Sequence, residues 1–341
     1  MKRFPILIAV SLCLLATGCA HTKSTRSDFL ALIQRPGVPL LPEVVPMPNT
    51  NGFAQFRFSF TTEAGQRVPG VLMKAANSEG RRPVVIALHG TGGSKANMFS
   101  LCRKLATNGF IAVAIDARYH GERANAGRGT TNYQDAIVRT WRNGDEHPFY
   151  YDTVWDVLRL VDYLQTRPDV DAKRIGLIGI SKGGIETYLA AAVDKRFAVV
   201  VPCIGVQSFR WALDNERWQG RIKTIQNAFD VAASDAGVTN VTSEFVKKFY
   251  DRVIPGIYDK FDGPSLLPLI APRPLLVINS DSDPNTPLPG VKEAAAAAEQ
   301  AYRKAGATDH FVLLIQENTA HQVKPESERT AIEWFVKWLK P

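Results

Sequence analysis

The sequence predicts an α/β fold: a mostly parallel central sheet covered by helices on both faces, with a helical lid insert. Three observations carry this. Apolar runs of strand length recur, as at Pro83–Leu88, and are continuous rather than alternating, the pattern of strands buried on both faces. Stretches with apolar residues at helical spacing separate them, as at Val154, Val157, Leu158, Val161 and Leu164. One strand, Arg174–Ile180, runs through Gly-Ile-Ser181-Lys-Gly into a stretch whose Ile185, Tyr188, Leu189 and Ala192 form a further helical stripe. With 341 residues, 45% of them hydrophobic and 22% charged, the chain can bury one large core, and disorder throughout is excluded.

The N-terminus stands apart. Lys2 and Arg3 precede an apolar run, Phe4–Leu15, too short to span a bilayer comfortably, and then Ala16-Thr17-Gly18-Cys19. This reads as a signal peptide over residues 1–18. The small residues before Cys19 resemble the bacterial lipoprotein signal, which implies lipidation of Cys19 and an exported, membrane-anchored protein of the cell envelope. Ala16 departs from the Leu usual there, and an ordinary secretory signal cut after Gly18 or Ala20 is the alternative. Residues 19–52 are polar and then punctuated by Pro36, Pro39, Pro42, Pro46 and Pro48, as expected of an extended tether, which leaves 53–341 as the folded domain.

Within that domain Phe56, Phe58 and Phe60 alternate as a half-buried strand, and Val71–Lys74 offers another. Strand Pro83–Leu88, a helix over 95–107 and strand Ile111–Asp116 follow. The helix carrying Val154 to Leu164 is stopped by Pro168. After the Ser181 strand and its helix come strands at Phe197–Cys203, Leu275–Asn279 and Phe311–Ile315, and a last helix marked by Ile332, Phe335, Val336 and Leu339. Two segments interrupt the alternation. Residues 121–150, with a short helix near 133–141, and residues 205–272, with helices near 218–234 and 243–254, are expected to form a lid. The net charge of +8 is scattered, without a nucleic-acid footprint, and Cys102 and Cys203 are too few for a disulfide framework. No His-x-x-x-His pair is present, so neither metal nor cofactor is expected.

The chemistry gathers at four places. Gly179 and Gly183 flank Ser181 where a strand turning sharply into a helix crowds its own backbone. Strand Leu275–Asn279 ends in Ser280-Asp281-Ser282-Asp283-Pro284-Asn285-Thr286-Pro287. His321 lies in the loop after strand Phe311–Ile315, whereas His310 sits at the opposite end of that strand. Leu88-His89-Gly90-Thr91-Gly92-Gly93 follows a buried strand. In this order the parts resemble the α/β-hydrolase superfamily over roughly residues 53–341, most of all its dienelactone-hydrolase-like and prolyl-oligopeptidase-like serine esterases. Ser181 departs from dienelactone hydrolases proper, which carry a cysteine there, and the residues before 53 are too few for the propeller of prolyl oligopeptidases.

The resemblance implies Ser181 as nucleophile, His321 as base and Asp283 as the acid orienting it, with Asp281 as the alternative acid. It implies an oxyanion hole made by the backbone N–H groups of Thr91 and Lys182, His89 ordering the turn. The segment Asp116-Ala-Arg118-Tyr-His120-Gly121 resembles a structural turn of the same family; Arg118 is also a candidate for holding a substrate carboxylate, and the Lys182 side chain for favouring an anionic one. Trp141 and Trp211, with Trp218, lie in the inserts and could wall a substrate site or be ordinary lid core. The expected partner is a small-molecule ester, with no nucleic acid and with membrane contact only through the anchor. A serine peptidase of the prolyl-oligopeptidase type, or a non-catalytic envelope lipoprotein using the same fold for binding, are the alternatives.

Overall fold

A computed structural model describes residues 25–124 and 130–340; the signal segment, Cys19 and the start of the expected tether lie outside the described residues. Nine strands form one sheet: β1 (Glu43–Thr50), β2 (Phe53–Glu63), β3 (Gln66–Ala75), β4 (Arg82–Leu88), β5 (Ile111–Ile115), β6 (Val170–Ile180), β7 (Phe197–Cys203), β8 (Leu275–Ser280) and β9 (Phe311–Gln316). Their order is β1-β2-β3-β5-β4-β6-β7-β8-β9. The pairings from β1 through β3 to β5 are antiparallel, and those from β5 through β4 and β6 to β9 are parallel. The chain leaves β4 to one side for β5 and returns on its other side as β6. The loops after β4 and β6 therefore open onto one crevice at the carboxyl ends of the parallel strands, the usual ligand position in such a sheet.

Alternation along the strands fills a core on each face. Val84, Ile86 and Leu88 of β4 enter one core, and Val85 and Ala87 enter the other. On the second face lie α2 (Phe99–Thr107) and α12 (Pro325–Leu339). On the first lie α4 (Tyr151–Gln165), α5 (Lys182–Val193) and α11 (Leu288–Lys304). Helix α11 has no counterpart in the sequence reading, because its buried side chains are mostly alanines (Ala294, Ala295 and Ala298), which mark an apolar face weakly.

The expected tether is corrected by the structure. Residues 25–33 form a helix, α1, that ends ahead of Pro36 and buries Phe29 and Ile33 completely. The Phe29 ring lies 5.0 Å from Tyr151 and 4.9 Å from Phe261 between centroids. Arg26 donates from Nε to the Ala192 carbonyl and from Nη2 to the Leu269 carbonyl, each at 2.8 Å. Pro46 and Pro48, which suggest a linker in sequence, stand on β1, an edge strand where missing N–H donors are tolerated. Buried apolar side chains, not composition, decide that this segment belongs to the domain.

The inserts are largely structural. Within 121–150, α3 (Thr130–Asn143) buries Tyr133, Ala136 and Ile137. The insert 205–272 supplies α6 (Phe209–Asp214), α7 (Gln219–Lys223), α8 (Gln226–Asp235), α9 (Ser243–Val253) and α10 (Gly263–Leu266), with α3 packed against α8 and α9. Trp141 is part of that packing, 6.0 Å from both Phe245 and Phe249, so it is insert core and not a substrate wall.

The N-terminal helix gives a direct test. Phe29→Ala removes a fully buried ring and is expected to lower the unfolding free energy by about 3–5 kcal/mol. Urea unfolding followed by circular dichroism reads this; a residue on a free tether would leave the midpoint unmoved.

Candidate active site

The strand-to-helix turn after β6 is built by contact between backbones. A Cβ on Gly179 would meet the Gly183 carbonyl oxygen at 2.1 Å, and one on Gly183 would meet the Leu88 carbonyl oxygen at 2.4 Å. Only glycine fits at either place. Between them Ser181 is held at φ 58° and ψ −114°, a costly conformation for a residue with a Cβ. Its N–H donates to the Cys203 carbonyl at 2.9 Å, and its own carbonyl accepts from Ile185 N–H at 3.0 Å. The hydroxyl therefore stands clear at the strand end.

Two loops from the far side of the sheet meet it. His321 Nε2 lies 2.7 Å from Ser181 Oγ, and His321 Nδ1 lies 2.7 Å from Asp283 Oδ2. With Nδ1–H donating to the carboxylate, Nε2 carries the lone pair and accepts the serine O–H. Asp283 is fully buried in its side chain and accepts from Thr286 Oγ1 at 2.7 Å and from Asn285 N–H at 2.8 Å. Burial alone would raise its carboxyl; the bonds from His321, Thr286 and Asn285 outweigh that and hold it below the usual carboxylate range. Asn279 of β8 donates to Thr286 Oγ1 at 3.0 Å and so fixes the group behind the acid.

Asp281 turns elsewhere. It accepts from the N–H groups of Asn318 (2.8 Å) and Thr319 (3.1 Å), which fastens the histidine loop. Gln316 fastens the same loop from inside, donating to Gln322 carbonyl at 2.8 Å and accepting from Lys324 N–H at 2.7 Å. His310 lies at the other end of β9, its Nδ1 2.6 Å from the Pro272 carbonyl.

The turn after β4 faces Ser181, with Gly90 against the Ser181 side chain. His89 is buried under it, Nδ1 2.8 Å from the Gly90 carbonyl and Nε2 accepting from Ala117 N–H at 3.1 Å. Lys182 N–H, at the first position of α5, has no intrahelical acceptor. A cleft of about 560 Å³ opens over these groups, lined by Gly90, Thr91, Ile180, Ser181, Ile204, Thr224, Asn285, His321, Gln322, Val323 and Glu328. Thr224 and Asn285 have no place in the sequence reading, although Asn285 sits two residues beyond Asp283 and adjacency to the motif is a usable signal.

The candidate substrate side chains are engaged elsewhere. Arg118 is buried and donates to both oxygens of Asp156, from Nε at 2.8 Å and from Nη2 at 3.0 Å, and it also pairs with Glu63. Those carboxylates already satisfy the fork a substrate would need. The Lys182 side chain is fully buried and paired with Glu186, within 5.6 Å of the Tyr133 ring centroid, so it does not reach the cleft. Trp211 lines a neighbouring groove beside Asp281–Pro284 and Pro287–Pro289. Cys102 and Cys203 are free and buried. Among the described residues no group of three His, Cys, Asp or Glu side chains is arranged to hold a metal ion, and no helix is long and apolar enough to cross a membrane.

Comparison with known proteins agrees with this fold. The acetyl xylan esterase family model matches residues 46–214, and the C-terminal model of the BAAT/acyl-CoA thioester hydrolases matches residues 159–326. A putative hydrolase of Bacillus subtilis, YtaP, is 24% identical over 80% of this chain and 84% of its own. The 4-O-methyl-glucuronoyl methylesterase of Hypocrea jecorina is 29% identical over 54% of this chain and only 39% of its own. Among solved structures, an acetyl xylan esterase from Paenibacillus sp. R4 superposes with a TM-score of 0.66 at 18% identity, over 98% of this chain and 97% of that one. A glucuronoyl esterase from Solibacter usitatus superposes with a TM-score of 0.65 at 17% identity, over 100% and 99%. Sheet, serine turn and sequence matches point the same way: the chain has the α/β-hydrolase fold, and the family models and solved structures it is similar to are those of esterases and thioester hydrolases.

Proposed function

We propose that Ser181, His321 and Asp283 act as a catalytic triad that cleaves carboxylic esters through an acyl-enzyme, with the amides of Thr91 and Lys182 as oxyanion hole. The observation that carries this is the unbroken relay of two 2.7 Å contacts from Ser181 through His321 to Asp283. His321 takes the hydroxyl proton as Ser181 Oγ bonds to the ester carbonyl carbon, and Asp283 stabilises the imidazolium that results. The tetrahedral oxyanion accepts from the two amides. His321 then returns the proton to the leaving alcohol as the C–O bond breaks, and a water activated by the same imidazole releases the acid.

The cleft lining favours an alcohol or acyl part rich in hydroxyls. Thr91, Thr224, Asn285 and Gln322 offer uncharged donors and acceptors, and Ile180, Ile204 and Val323 give apolar surface between them. An ester borne by carbohydrate fits that mixture, and the acetyl xylan and glucuronoyl esterases among the relatives support it. The signal-like N-terminus adds an exported, lipid-anchored form to the proposal.

The oxyanion turn depends on a neutral His89. Burial, reinforced by the Lys182 charge, lowers its pKa to about 4 from an ordinary 6.5. Protonation would convert Nε2 from acceptor to donor against Ala117 N–H. At pH above about 6.5 both folded and unfolded chains hold this ring neutral; between about 6.5 and 4 only the unfolded chain takes up the proton, so stability falls with pH across that window.

Three outcomes are expected. Ser181→Ala lowers kcat for 4-nitrophenyl acetate by about 10⁴-fold or more, and fluorophosphonate labelling of Ser181 requires His321; a Ser181→Ala protein with most of its activity intact would sink the triad. Urea unfolding at pH 4 to 7 shows a loss of stability toward acid that is smaller by about 3 kcal/mol in His89→Asn than in the parent chain. Radiolabelled palmitate is incorporated by the parent chain and not by Cys19→Ala.

A further inference from the structure

Beside the Ser181 cleft, on the other side of one turn of chain, runs a groove of about 450 Å³. The turn is the acid loop. Asp283 and Pro284 line the groove, and the next residue, Asn285, lines the cleft. Helix α7 is shared in the same way, with Gly220 on the groove and Thr224, at its end, on the cleft. Gly220 lies so near Pro284 that a Cβ would meet the Pro284 carbonyl oxygen at 2.2 Å, so at this point α7 adds only backbone to the ridge between the two.

The groove holds an indole that neither core uses. Of the six tryptophans, Trp141, Trp155 and Trp218 pack in or against the core on one face of the sheet, and Trp334 and Trp338 in or against the other. Trp211 packs with neither; it is half-buried on the groove. Its place is nevertheless fixed. Its N–H donates to Ser208 Oγ at 3.0 Å, and its carbonyl accepts from Asn215 Nδ2 at 2.8 Å. A Cβ on Gly290 of α11 would stand 3.5 Å from Trp211 Cε3, so the ring leans on the first turn of that helix. Pro284, Pro287 and Leu288 continue the apolar floor.

The rim is polar. After α6 the chain reverses at Glu216, held at φ 53° in the left-handed region, and Arg217 N–H returns to the Ala212 carbonyl at 2.7 Å. This sets the exposed Arg217 and Gln219 on one side of the groove, with Asp281 and Ser282 on the other. The charges of Arg217 and Asp281 offset each other, and the Asp283 carboxylate is engaged by His321. A flat apolar floor with hydrogen-bonding groups at its edge and no net charge matches a pyranose, which has a C–H face and a rim of hydroxyls. A fatty acyl chain would desolvate Arg217 and Asp281 without replacing their hydrogen bonds, and a polyanion would face Asp281 as well as Arg217.

We infer that the Trp211 groove is a second sugar-binding subsite, which holds an uncharged glycan residue next to the one whose ester lies over Ser181. The inference deepens the esterase reading and rests on it for its substrate half.

Binding is read apart from chemistry. In the full chain carrying Ser181→Ala, titration calorimetry with xylohexaose is expected to show one site. Trp211→Ala weakens it about tenfold or more, Trp211→Tyr, which keeps a ring on the floor, weakens it less, and Gln219→Ala on the exposed rim weakens it as well. Matching thermal melts assign these losses to the groove. With Ser181 restored, kcat/KM for acetylated xylohexaose divided by that for 4-nitrophenyl acetate falls about tenfold in Trp211→Ala. No binding, or binding that neither Trp211→Ala nor Gln219→Ala weakens, overturns the subsite. Tighter binding of an oligogalacturonate of the same length overturns the uncharged class. A ratio that holds while binding is lost overturns the link to Ser181. If the Ser181 chemistry itself is wrong, Ser181→Ala keeps its esterase activity, and calorimetry still reads the groove.

Discussion

The closeness of three backbones around Ser181 is the constraint on which the site depends. Helix α5 lies so near β4 and β6 that Gly183 touches the Leu88 carbonyl and Gly179 touches Gly183. That proximity forces the chain to turn within one residue, and the turn leaves Ser181 in a conformation it would not adopt freely. The same contact brings the Gly90 turn against the serine side chain. The Ser181 hydroxyl and the Gly90 turn are therefore set by one packing event and not by separate loops.

The remaining parts are braced against this centre from both sides. Toward β5, Arg118 and Arg123 converge on the buried Asp156 carboxylate, which they hold far below the ordinary range against the penalty of burial. That ionic knot joins the end of β5 to α4, and its geometry explains why Arg118 serves architecture and not substrate. Toward β8, a Cβ on Gly220 of α7 would meet the Pro284 carbonyl at 2.2 Å, and Arg221 bonds to Asn285. The insert expected to act as a lid thus clamps the acid loop, and only Thr224 of its helical start reaches the cleft.

Much of this was legible in the sequence for identifiable reasons. Strands buried on both faces are continuous apolar runs, and the serine turn needs glycine at two fixed places, so β4, β6 and Ser181 announce themselves. The Asp283 and His321 loops follow recognisable strands. Helix α1 was not legible, because Phe29 and Ile33 give only a single i, i+4 pair beside a proline-rich stretch. Strand β1 was hidden by Pro46 and Pro48, which an edge position tolerates.

The two interior thiols have a consequence of their own. Burial raises the Cys102 thiol to about 12 and the Cys203 thiol higher still, so neither supplies appreciable thiolate at neutral pH. Cys203 lies on β7, its carbonyl bonded to the Ser181 amide, yet it is sealed from solvent. Among the described residues no disulfide forms, so assembly of this core needs no oxidant and its retention no reductant: it can stand in an oxidising or a reducing medium without change.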